Sequence, residues 1–163
     1  MSRNFIVICE APADYRTATE IADRVFIAGI NWLEEAQLDS QRNWIGEVPA
    51  GCPLTWKSIP ALARAQGIRV HGHFDGEPGL PDAHAARRAL AYVLRNMSDI
   101  AGIVMIRDAD DQPQRRLGLE QARSSYASHC AIVVGLAICE RESWVLSGFV
   151  PPGETQLSAS LTA

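Results

Sequence analysis

Three places in this chain set carboxylates directly behind apolar runs. Residues 5–9 end at Glu10, residues 103–106 lead through Arg107 into Asp108-Ala109-Asp110, and residues 131–138 lead through Cys139 into Glu140-Arg141-Glu142. If the runs are parallel strands, their carboxyl ends share one edge of a sheet, the edge at which open α/β sheets bind ligands. Carboxylates gathered there repel one another and favour their protonated forms unless a cation neutralises them. Hard oxygen donors of this kind suit Mg²⁺ or Mn²⁺ rather than zinc. The Asp-x-Asp spacing turns two carboxylates the same way for as long as the backbone stays extended. Each acid taken alone has an ordinary role as a helix cap or a solvated loop charge. The three sites taken together favour a cation.

The elements that must position these acids are legible as patterns. The runs at 5–9, 103–106 and 131–138 are nearly continuous in Ile, Val and Leu, which suits strands covered on both faces. Residues 68–74 alternate instead, with Arg69, His71 and His73 on one face, and predict an edge or half-exposed strand. Thr17 followed by Glu20 reads as a capping box, and an apolar stripe then runs from Ala18 to Ala36. Further helices are expected over 58–66, stopped by Gly67, and over 81–97, 114–126 and 140–147. Residues 38–56 hold Trp44 and Trp56 among Gly and Pro and read as a long irregular loop, with the tryptophans capping the sheet edge. Strands alternating with helices call for one α/β domain with an open, mostly parallel sheet flanked by helices. It is expected over residues 1–150, with 151–163 a loose tail.

Composition narrows the classes. A chain of 163 residues that is 47% hydrophobic is long enough for a sizeable core without metal or disulfide staples. It has no apolar run of membrane-spanning length and no cleavable leader pattern, so a cytoplasmic protein without a membrane partner is expected. Its net charge of −4 gives no global field for nucleic acid. Fourteen of the fifteen basic residues are arginines, Lys57 being the exception. Cys9, Cys52, Cys130 and Cys139 show no zinc spacing and no disulfide framework. No phosphate-binding glycine loop and no nucleophile elbow is present. His71, His73 and Asp75 share a strand face and read as exposed polar positions. Arg87, Arg88 and Arg95 read as a solvated helix face, whereas Arg107, Arg115 and Arg116 lie close enough to the Asp-x-Asp to meet nucleic-acid phosphates.

An apolar strand ending in Glu10, with a later apolar strand ending in Asp108-x-Asp110, resembles the signature of the TOPRIM domain, shared by topoisomerases, primases and nucleases of the overcoming-lysogenization-defect class. The resemblance covers about residues 4–149. It is nearest to small stand-alone bacterial TOPRIM-like proteins of unknown function, often encoded beside an ATPase gene, whose closing acidic pair before a tryptophan is similar to Glu140-Arg-Glu142-Ser-Trp144. The resemblance implies a TOPRIM-like, Rossmann-like sheet. In it Glu10 is the catalytic acid or base, Asp108 and Asp110 hold a divalent ion, and Glu140 or Glu142 holds a second. It further implies metal-dependent phosphodiester cleavage with Mg²⁺ or Mn²⁺. The substrate would be DNA rather than RNA, the partner an ATPase, and the setting DNA metabolism or defence. The family usually has Gly after its first acid, where this chain has Ala11-Pro12. That departure motivates a second expectation, a non-catalytic TOPRIM-like binding or regulatory subunit. An aspartate-based phosphatase fits less well, since that chemistry wants its Asp-x-Asp behind the first strand. The polar strand face and the tryptophan loop leave room for a homodimer.

Overall fold

The computed structural model describes residues 2–46 and 52–138. Within them, β1 (Arg3–Cys9) is the hub of a five-stranded, all-parallel sheet. On one side it pairs with β2 (Arg42–Ile45) along Arg3 to Ile6, and then with β3 (Leu54–Thr55) at Ile8 and Cys9. On its other side runs β6 (Ile100–Asp108), which in turn pairs with β7 (Ala131–Ala137) from Gly102 to Asp108. The α/β architecture with a mostly parallel sheet is therefore as expected, and no described helix is long and apolar enough to cross a membrane.

Alternation along the central strands splits the core. Ile6 and Ile8 of β1, with Ile103 and Met105 of β6, face the larger cluster. That face is covered by α3 (Ile59–Ala65), α4 (Ala83–Asn96) and α5 (Gln114–Tyr126), through Ile59, Leu90, Val93 and Leu119. Val7, Cys9 and Ile106 face the other side, where α1 (Pro12–Gly29) contributes Ala18. Burying both faces is what a parallel sheet needs. The α1 side is covered less completely among the described residues, since Val133 remains 56% and Val25 66% exposed.

Several boundaries differ from expectation, each for a local reason. Helix α1 starts at Pro12, not Thr17, because proline suits the first helical position and Asp14 at the third accepts the Ala11 amide at 2.7 Å. Thr17 lies inside the helix and donates to the Ala13 carbonyl at 3.1 Å, and the helix ends at Gly29, short of Ala36. The span 38–56 is not an irregular loop throughout: it holds α2 (Leu38–Gln41), β2 and β3. Trp44 sits on edge strand β2 against Phe5, with ring centroids 5.7 Å apart, and donates its indole N–H to Asp23 at 3.0 Å. Residues 68–74 do not join the sheet. Within that span only β4 (His73–Phe74) forms a strand, paired antiparallel with β5 (Glu77–Pro78) across Asp75-Gly76. Both turn residues have positive φ, +50° and +88°, the backbone that an Asp-Gly hairpin turn supplies. Arg87 is not solvated; it is 8% exposed, donates to the His71 and His73 carbonyls, and stacks 3.4 Å over the Phe74 ring. Helix α5 has the expected bounds, and Gly67 follows α3 at φ +63° as a helix stop requires. The helix expected over 140–147 and the tail lie outside the described residues.

Close contact between α5 and the start of α4 depends on Gly118. A Cβ there would run into the Pro81 carbonyl oxygen and crowd the Ala83 amide, both backbone groups that cannot swing away. Gly118→Ala is expected to destabilise the fold by about 1–3 kcal/mol, read as a lower midpoint in circular-dichroism melting. An unchanged midpoint would contradict this packing.

Candidate functional site

Glu10 directly follows β1, and Asp108 closes β6. Because the two strands are adjacent and parallel, with Ile8 opposite Met105, both acids stand at the carboxyl edge of the sheet. Asp110 stands just beyond, but not by continued strand alternation. After the buried Ala109 the chain turns, with Asp110 at φ +43° and Asp111 at φ +56°, and the Gln112 amide donates back to the Ala109 carbonyl at 2.8 Å. Two successive non-glycine residues in the left-handed region are strained, though aspartate tolerates it better than most.

Sequence reasoning missed the residue at the centre of the site, Asp82. Its position behind Pro81 reads as a helix cap, yet its side chain makes no cap hydrogen bond, and its backbone is left-handed at φ +66°. Its carboxylate instead lies between two arginines, with Oδ2 at 3.3 Å from Arg107 Nε and 3.0 Å from Arg115 Nε. Arg107 also approaches Glu10 Oε1 at 3.5 Å. Arg115 donates to Asp110 Oδ2 at 2.6 Å and to the Asp108 carbonyl at 2.9 Å. The result is a chain of alternating charge, Glu10, Arg107, Asp82, Arg115, Asp110. Its middle is shielded, with side-chain exposures of 18% for Arg107, 14% for Asp82 and 11% for Arg115. Asp82 Oδ2, Arg107 Nε and Arg115 Nε are buried without a well-directed hydrogen bond.

Trp56, the residue just after β3, supports this arrangement. Its amide donates to the Cys9 carbonyl at 2.9 Å and its indole N–H to the Ile106 carbonyl at 2.8 Å. Its ring lies 5.4 Å from the Arg107 guanidinium, within cation–π range. Cys9, one residue before Glu10, is no nucleophile: burial, with Asp14 nearby, pushes its thiol up to about 12. On the far side of α1, hydrogen bonds from Arg42 to Asp23 hold that guanidinium still more firmly protonated, which ties α1 to β2.

The structure thus brings Glu10, Asp110, Arg107 and Arg115 into one network, with Asp108 lending its carbonyl; Arg116 is exposed on α5 and Glu140 and Glu142 lie outside the described residues. No group of three or more Asp, Glu, His or Cys side chains among the described residues is gathered to hold a metal ion. The described donors alone therefore do not make up a metal site, because arginines already engage the carboxylates of Glu10 and Asp110. Compared with known proteins, the chain matches no family model, and no curated protein and no solved structure matches it either.

Removing one arginine from this shielded chain leaves carboxylate charge with less compensation. Arg115→Met is expected to cost about 2 kcal/mol, and Asp82→Asn in the Arg115→Met background is expected to recover part of it. Chemical denaturation of the two variants reads this coupling; a double variant no more stable than Arg115→Met would show that Asp82 and Arg115 do not support each other.

Proposed function

We propose that this chain is a TOPRIM-like phosphodiester-processing module, a divalent-metal-dependent nuclease acting on DNA with an ATPase partner. One observation carries the reading: Glu10 and Asp108 stand at the carboxyl ends of adjacent parallel strands, with Asp110 in the turn behind them. Strained backbone at Asp82, Asp110 and Asp111 around this one edge adds support, since such strain tends to collect where a ligand is handled. So does the exposure of the two end acids, because Glu10 and Asp110 keep 36% and 58% of their side-chain surface open to solvent beyond the arginines that pair with them. In this reading Arg107 and Arg115 order the acids, and Arg116 on the exposed face of α5 meets the incoming phosphates. Mg²⁺ or Mn²⁺ would supply Lewis-acid and water-activating chemistry.

The second reading is a non-catalytic TOPRIM-like binding or regulatory subunit. The ion-pair chain favours it, since arginines already neutralise acids that a metal would otherwise need. Calorimetric titration of Mn²⁺ into the full chain and into its Asp108→Asn, Asp110→Asn variant separates the two. The nuclease reading expects binding to the wild type and at least about tenfold weaker binding, some 1.4 kcal/mol, in the variant. Absence of binding to both, or equal binding to both, would favour the second reading.

A further inference from the structure

Away from the carboxylate edge, a cleft of about 490 Å³ opens between the end of α3, the segment that follows it, and α4. Arg64 reaches it from the last turn of α3, Arg69 from just beyond Gly67, and Arg88 from α4. The rest of the lining is aliphatic or backbone; it includes no carboxylate and no aromatic ring. None of the three arginines forms an ion pair with a described carboxylate. Arg64 has a ready local explanation, because a cation in the last turn complements the negative end of its helix. Arg69 and Arg88 do not. Three guanidiniums sharing one cleft repel one another, and in a protein of net charge −4 nearby acids would be the cheap remedy.

The half-buried Arg88 is also held in place. His84 Nε2 meets the Val70 carbonyl at 3.1 Å, which makes Nε2 the donor and leaves Nδ1 to accept from Arg88 Nη2 at 3.5 Å. The histidine thereby links the α4 wall of the cleft to the wall formed by residues 67–70.

We infer that the Arg64, Arg69 and Arg88 cleft binds the phosphate backbone of nucleic acid, a subsite separate from the carboxylate edge. Arginine suits this because its planar fork matches phosphate oxygens. An open groove without an aromatic ring has nothing to stack a base, so it suits a backbone better than a free nucleotide. The inference rests on the reading of this chain as a module that processes DNA, and it supplies what the carboxylate edge lacks, a surface that attracts the substrate.

The test is fluorescence anisotropy of a labelled duplex DNA in metal-free buffer over a salt series. The wild-type chain is compared with an Arg64→Gln, Arg69→Gln variant, both positions being exposed. An Arg3→Gln, Arg24→Gln variant controls for equal loss of charge elsewhere. Binding weakened about tenfold in the cleft variant, with the salt slope reduced by about 0.9 per lost contact and the control close to wild type, is the expected result. No binding by the wild type, or a salt slope unchanged in the cleft variant, would overturn the inference. DNA cleavage with Mn²⁺ is read separately. A chain that binds through the cleft yet never cleaves keeps this inference and loses the nuclease reading. A chain that cleaves with no contribution from the cleft does the reverse.

Discussion

Parallel pairing of β1 with β6 is the constraint from which the rest of this molecule follows. Two adjacent parallel strands cannot be joined by a tight turn, so the chain between them must cross over. Here it does so through residues that build β2, β3, α3 and α4. Both faces of the pair must then be covered, and the alternation Ile6, Val7, Ile8, Cys9 distributes β1 between two clusters accordingly. The same geometry sends the carboxyl ends of β1, β6 and β7 to one edge. Glu10, just after β1, and Asp108, at the end of β6, become neighbours there although they are about a hundred positions apart in the chain.

Electrostatics at that edge are settled by arginines within the described residues. A carboxylate shielded as deeply as Asp82 requires a positive partner, and it has two, Arg107 at the end of β6 and Arg115 in the first turn of α5. The pairs are close but poorly directed, so attraction between charges holds them more than hydrogen bonding does. Such an arrangement is firm enough to order Glu10 and Asp110 and leaves those two carboxylates, the more exposed members of the chain, facing water. The arginines of the second cleft have no carboxylate partner among the described residues, so the described part of the protein keeps them apart from the ion-paired set.

The continuous strands and their acids were legible because burial on both faces writes itself into an unbroken apolar run. Helix α5 was legible for a different reason, since Pro113 marks its start. Short elements were not. Strand β2 reads Arg-Asn-Trp-Ile, only four residues and half-exposed, and β3 has only two. The alternation over 68–74 imitates a strand, but its polar positions are fixed by Arg87 gathering backbone carbonyls; the Asp75-Gly76 pair was the local signal for the hairpin. Asp82 was illegible as a site residue because nothing local distinguishes it from a helix cap; its partners are 25 and 33 positions away.

In the proposed nuclease reading, Glu10 at the carboxyl edge of β1 and β6 is a catalytic acid or base. The most direct measurement is nicking of supercoiled plasmid DNA by the purified chain with Mn²⁺, compared with the Glu10→Gln variant. Nicking by the wild type and its loss in the variant, while both chains melt at similar temperatures, is the expected result. Equal nicking by the two, or none by the wild type, would contradict it.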